Sequence, residues 1–438
     1  MDVRSALAFL APNLVPILVP ILAALLGTAG CGGQSLESGA GGVGGAAAGP
    51  GGSASSAGGA SVGGGAAVAP DYSHSPCYGQ TASTMVYDGK THQLNPVSAT
   101  CRAEGTQTRV YVADALFGTN VSQAEVDGFM KRYELLGSAK SYRPDLGALP
   151  TDELVFGDLP SAKLRDGKID IFVIDTSGAG EGYLCSWCDT LALHMDGTLL
   201  DALDGDKSLG IAAHESFHAI HHGYDMDETV WVDESMAEAA MTVNGYGDPD
   251  WLTSFLEKPN IDWGPGSNSI AKFNYGAGLV FGSYLWEQGG PDLMRAITRE
   301  PANGWDGIDA ALVSTGHTQT GFELFLDMAV ALYLDDPARG WGFKSMDFNP
   351  PVLRATLAAG ARTTGTVAPY GLIYEVLGDG VQSIRVDAGA AVTAQLVADR
   401  DPVVVTPLVL GTDTPVTFSP GVLVLTANAA TQYTATAQ

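Results

Sequence analysis

An α+β fold is expected from this chain of 438 residues, because three hydrophobic periodicities follow one another along it. Residues 108–177 read as strand, helix and strand. Residues from about 207 to 360 carry apolar positions at helical spacing, and from about 364 onward short β-branched runs alternate with Gly, Pro and Asp. These stretches predict a mixed-sheet subdomain at 77–206, a mainly helical subdomain at 207–363 and a small all-β module at 364–438.

In the first part, "TRVYVADAL" is β-branched and apolar, while "SQAEVDGFMKRYELL" opens with Ser122 and Glu125 at capping-box spacing and goes on at helical period. "KIDIFVID", residues 168–175, is apolar on both parities, which predicts a strand buried on both faces. Helices are expected in "SLGIAAHESFHAIHH", "ESMAEAAMTV", "GAGLVFGSYLWEQ", "PDLMRAIT" and "GFELFLDMAVALYL", packed antiparallel through short loops. The runs "GLIYEVL", "QSIRV", "AVTAQLV", "PVVVTPLVL" and "GVLVLTA" form the β-module. It holds no histidine or cysteine, so a stabilising or spacer role is expected of it.

A hydrophobic content of 45% supplies a core, and 49 acidic against 22 basic residues give a formal charge of -27. That balance argues against nucleic acid or an anionic membrane surface as partner, since both need a basic face. Residues 1–30 have the shape of an export signal: Arg4, an apolar stretch, then small residues before Cys31. The ending "LLGTAGC" resembles a bacterial lipoprotein signal, which implies that Cys31 is lipidated and that the lipid alone holds the protein to a membrane of the cell envelope. A plain secretory signal with free secretion, and an uncleaved anchor, are the alternatives. Pro12, Pro16 and Pro20 weigh against a continuous membrane helix. Residues 31–76, Gly, Ala and Ser over most of their length, read as a flexible tether. Cys77, Cys101, Cys185 and Cys188 remain, an even number in an exported chain. Cys77 is expected to pair with Cys101. "CSWC" at 185–188 is expected to be a local disulfide, with a redox pair or half of a metal site as alternatives.

The chemistry concentrates in "AAHESFHAIHHGYD", residues 212–225, which holds His214, His218, His221 and His222 out of 8 histidines in the chain. His214, Glu215 and His218 make H-E-x-x-H. Histidines four apart share one helix face, so both imidazoles can reach one tetrahedral zinc, with Glu215 placed to deprotonate a water that the metal activates. A polar helix face is the alternative, but Ile211, Ala212, Ala213, Phe217, Ala219 and Ile220 flank the three residues. Buried ionisable groups need a partner.

A catalytic zinc needs a third protein ligand and an open position. The metzincin pattern requires Gly at 221 and His at 224, where this chain has His221 and Tyr224. His222 lies about 12 Å of helical rise from His214, too far to share the ion. The downstream "TVWVDESMAEAA" resembles the gluzincins, zinc peptidases with a zincin-like fold whose third ligand is a glutamate on a following helix. Trp231 and Glu234 match that setting, with residues 219–233 between His218 and Glu234. The resemblance implies Glu234 as ligand and Glu238, one turn on, as the acid that orients a zinc histidine. A solvated helix acid is the alternative reading of either glutamate, and Asp233 is a weaker third option as ligand. "FNYGAGLVFGSYLWEQGG" resembles the aminopeptidase and leukotriene-hydrolase type, which implies that Tyr275, spaced Tyr-x-x-Gly with Gly278, donates to an oxyanion. A buried tyrosine packing a helix start is the other reading. Over residues 108–340 the chain looks closest to hyicolysin-like and myxobacterial secreted metalloproteases.

The expected function is therefore an exported zinc metallopeptidase, acting as an endopeptidase on peptide or protein substrates. An aminopeptidase is the nearest alternative, because "GAGEGY" at 178–183 precedes the zinc helix much as Gly-x-Met-Glu-Asn does in that family; Glu181 would then hold the substrate amine. A surface lipoprotein with a structural or vestigial zinc site, acting as a binding module, is the alternative from another class.

Overall fold

A computed structural model describes residues 71–438, apart from positions 268, 349, 350, 352, 354, 355, 419 and 420. The expected export signal (1–30), Cys31 and the expected tether as far as residue 70 lie outside the described residues.

Strand formation begins upstream of the first run that the sequence singles out. β1 (Thr81–Asp88) and β2 (Gln93–Glu104) form an antiparallel hairpin in which polar and apolar residues are mixed and burial is only partial, so hydrophobic periodicity carries little trace of it. β3 (Thr108–Ala113) pairs antiparallel with β2. Helix α1 (Gln123–Met130) starts with the expected capping box between Ser122 and Glu125 and runs on into a wider π turn at Lys131–Leu135. After α2 (Ala148–Val155), β4 (Ile169–Ile174) returns parallel to β3, buried at every position as its apolar pattern requires. β5 (Gly182–Leu184) and β6 (Ala192–Asp196) complete a six-stranded sheet in the order β1-β2-β3-β4-β6-β5.

This sheet curls until β1 lies against β5 and β6. Thr84 Oγ1 is 2.9 Å from His194 Nε2, and the Tyr87 N–H donates to the Tyr183 hydroxyl over 3.1 Å. Both expected disulfides are present: Cys77–Cys101 ties the start of the described chain to β2, and Cys185–Cys188 closes the turn after β5.

The helical half contains α3 (Asp206–His221), α4 (Val230–Val243), α5 (Pro249–Glu257), α6 (Tyr275–Arg299), α7 (Trp305–Ser314) and α8 (Gly321–Leu334). The two apolar runs read separately in the sequence are consecutive segments of α6, broken at Gly290 (φ 57°) just before Pro291. α4 and α6 meet closely: a Cβ at Gly282 would lie 2.0 Å from the Ser235 carbonyl oxygen, so only glycine allows the contact. At the start of α4 the Trp231 ring packs 4.7 Å from Trp305 and 5.7 Å from Trp263, anchoring the turn that carries Asp233 and Glu234.

The C-terminal module is a pair of four-stranded antiparallel sheets. Its strands are β7 (Arg362–Val367), β8 (Ile373–Leu377), β9 (Ser383–Ala388), β10 (Val392–Ala398), β11 (Val404–Pro407), β12 (Thr414–Pro415), β13 (Gly421–Ala427) and β14 (Thr431–Ala437). They are ordered β11-β10-β13-β8 and β12-β9-β14-β7. Ile384, Leu396 and Leu423 belong to a core of the module's own, whereas Tyr374, Val422 and Val424 join the main core. The buried Tyr374 hydroxyl donates to the Ala329 carbonyl of α8 over 2.8 Å, and the Trp263 indole donates to the Tyr370 carbonyl over 3.0 Å. The module is therefore docked on the helices. Among the described residues no helix is long and apolar enough to cross a membrane.

Candidate metal centre

α3 is buried from Ser208 to His221, with Asp206 in its first turn where a carboxylate favours the helix dipole. β5 lies directly upon it. A Cβ at Gly182 would stand 2.4 Å from Ile211 Cγ2 and 3.5 Å from Glu215 Cγ, so glycine at this position lets the strand approach the helix beside Glu215.

One turn apart on α3, His214 and His218 turn their Nε2 atoms toward each other at 3.1 Å. The first turn of α4 brings Glu234 to the same point: Oε2 is 3.3 Å from His214 Nε2 and 3.9 Å from His218 Nε2. A tetrahedral zinc with bonds of about 2.0–2.1 Å separates neighbouring ligand atoms by about 3.3 Å, which these distances bracket. All three side chains are buried, and Glu234 Oε2, though close to both rings, accepts no hydrogen bond among the described residues. An unsatisfied buried carboxylate oxygen is costly, and a cation at this point would relieve the cost. His214, His218 and Glu234 thus form a group that could hold a metal.

Each imidazole also meets a carboxylate on its far nitrogen. Glu238 Oε1 is 3.2 Å from His214 Nδ1, and Asp233 Oδ2 is 3.0 Å from His218 Nδ1. The other oxygen of Asp233 pairs with His221 Nδ1 at 2.6 Å. Such partners fix ring orientation and leave Nε2 for the central point. Burial works against a charged His218, but the Asp233 carboxylate overrides it and holds the ring pKa up to about 9. Asp233, despite a burial that alone would raise it, is held well below the ordinary carboxylate range by its two imidazoles. Burial raises Glu238. The Asp233 oxygens thus face the Nδ1 side of the rings, away from the point where the two Nε2 atoms and Glu234 Oε2 converge.

The site opens on a cleft of about 370 Å³ bounded by His214, Glu215, Glu238 and Tyr275, with Ile211, Met241 and Trp251 as apolar wall. Glu215 is buried and reaches this cleft. Tyr275 begins α6, where the Asn274 side chain accepts the Ala277 N–H at 3.0 Å, and its ring centre is 6.3 Å from that of His214. Gly278 answers to packing: a Cβ there would meet the Phe273 ring at 2.2 Å. Glu181 also lines the cleft, but its Oε1 lies 2.5 Å from Lys207 Nζ.

Sequence reasoning did not anticipate the Asp233–His221 pair or the Lys207–Glu181 pair. The one local signal was the position of Asp233 beside Glu234, which gives no direction to either side chain. His222 lies outside the metal cluster, as its rise along the helix requires. No protein-family model matches this chain, and no curated protein matches it.

Proposed function

We propose that this chain is an exported zinc-dependent endopeptidase of the gluzincin kind, with a zincin-like catalytic unit in which His214, His218 and Glu234 hold the metal. The observation that carries the reading is the convergence of two Nε2 atoms and an unsatisfied buried carboxylate oxygen beside Glu215 at the cleft. Zinc bound there would supply a Lewis acid that polarises the scissile carbonyl and acidifies a water molecule.

The chain's own residues then divide the work. Glu215 takes the proton of the attacking water and delivers it to the leaving amine nitrogen. Glu238 and Asp233 hold the two imidazoles in one tautomer. Tyr275 donates from its hydroxyl to the oxygen on which negative charge develops. Ile211, Met241 and Trp251 give the cleft an apolar wall that would receive a nonpolar side chain next to the cut bond and keep bulk water away. Glu181, already matched by Lys207, is poorly placed to hold a free amino terminus, which favours internal cleavage over N-terminal trimming. The two disulfides are in keeping with an exported protein, tethered through Cys31 or secreted.

The test exposes an unbiased peptide mixture to the protein and to its Glu215→Gln variant, with products read by mass spectrometry. Internal cuts made only by the unaltered protein are expected. Identical product patterns from the two proteins would overturn the reading and favour a metal site with a structural role.

A further inference from the structure

A second group of metal-ligand side chains lies at the far end of the strand that covers α3. Cys185 and Cys188 follow β5, and His194 stands in β6 opposite Tyr183 of β5. Both sulfurs and one nitrogen of the His194 ring lie within 4.8 Å of one another. The Thr84 hydroxyl sits among them, 2.9 Å from His194 Nε2 and 3.6 Å from Cys188 Sγ. His194 is fully buried, and its Nδ1 has no hydrogen-bonding partner among the described residues. Nothing in the peptidase reading uses this ring.

We propose that the Cys185–Cys188 disulfide closes a latent site for one soft or borderline divalent cation such as zinc, which reduction opens as a two-sulfur, one-imidazole centre. Two thiolates and a neutral imidazole are the donor set such cations prefer. Burial pushes the His194 ring down to about 3, so protons do not compete for it near neutrality. Cys185 is buried whereas Cys188 is partly exposed, so the Cys188 sulfur is the one open to attack. A dithiol reductant would form a mixed disulfide with Cys188 and release Cys185 as thiolate. The reductant's second thiol then displaces Cys188, leaving an oxidised reductant and two cysteine thiols. Metal binding expels the two thiol protons to solvent. Gly182 of the same strand touches Ile211 beside the catalytic cleft, so the state of this centre bears on the strand that forms the cleft edge.

Cobalt(II) is the probe, because thiolate-to-cobalt absorption cannot arise from the His214, His218 and Glu234 centre, which has no sulfur. The protein is reduced with a phosphine, which adds no thiol ligand, and titrated with cobalt(II). A thiolate charge-transfer band is expected in the reduced protein, absent from the oxidised protein and absent from reduced Cys185→Ser, which keeps the cysteines at 77 and 101. His194→Gln should weaken the cobalt responsible for the band by at least the roughly tenfold that even an outer partner of a metal ligand is worth. No band in the reduced protein, or an equal band in Cys185→Ser, would overturn the proposal. Should His194→Gln not fold, cobalt-edge X-ray absorption of the reduced His218→Ala protein, whose other centre no longer holds a metal, decides: sulfur and imidazole around the ion support the centre, and a sulfur-only shell refutes it.

Discussion

The Asp233 carboxylate stands 3.0 Å from Nδ1 of His218, on the side of the ring opposite the nitrogen that faces His214 and Glu234. Asp233 and Glu234 are neighbours in sequence, yet one supports an imidazole and the other meets its far nitrogen. Asp233→Asn should therefore leave the fold intact and weaken metal binding about 10–100-fold. Competition against a chelator measures it, and unchanged affinity would reduce Asp233 to a packing role.

Substitutions at Glu215 and His218 test whether chemistry and metal retention separate as proposed. Glu215→Gln is expected to keep its metal, read by elemental analysis, while turnover falls about 10²–10⁴-fold. His218→Ala should lose metal and activity together. Equal turnover in Glu215→Gln would remove Glu215 as the base.

Tyr275→Phe tests the oxyanion donor. With its ring 6.3 Å from that of His214, loss of the hydroxyl should lower kcat by about 10²-fold and leave KM nearly unchanged. A loss confined to KM would make Tyr275 a substrate contact instead.

The ion pair between Glu181 and Lys207 predicts the outcome of Glu181→Ala. Internal cleavage should persist with little change. Selective loss of N-terminal trimming would instead support the aminopeptidase alternative.

Asp152 in α2 is fully buried, and one of its oxygens accepts from the Asn244 side chain over 2.6 Å. Burial raises its pKa well above the ordinary value, against the smaller opposing effect of Asn244. The folded state thus keeps a proton that the unfolded chain releases above about pH 3.9. The stability this group contributes is full below that value and is lost as pH rises through the raised folded pKa. Asp152→Asn should melt higher than the unaltered protein at pH 8, with the difference shrinking toward pH 4. A gap independent of pH would sink the assignment.

Much of the local structure was legible in the chain. The capping box at Ser122 and Glu125, the two-faced burial of β4 and the helical span of α3 all follow from residues a few positions apart. The β1–β2 hairpin was not legible, because its strands are stabilised by the curled sheet rather than by an apolar pattern of their own. The β-module was visible as short strands, but not its docking through Tyr374 onto α8.

The sequence by itself determined that His214, Glu215 and His218 share a buried helix, since the helical period alone sets residues four apart on one face. Tertiary structure alone decided which acid meets which ring nitrogen. The rotation of α4 is set by Gly282 against Ser235 and by the Trp231 cluster, contacts distant in the chain, and that rotation turns Glu234 toward Nε2 and Asp233 toward Nδ1. The same holds for His194, brought to Thr84 by the curl of a whole sheet. Periodicity is carried by contiguous residues, whereas the pairing of side chains across elements is settled only by the sum of packing contacts between them.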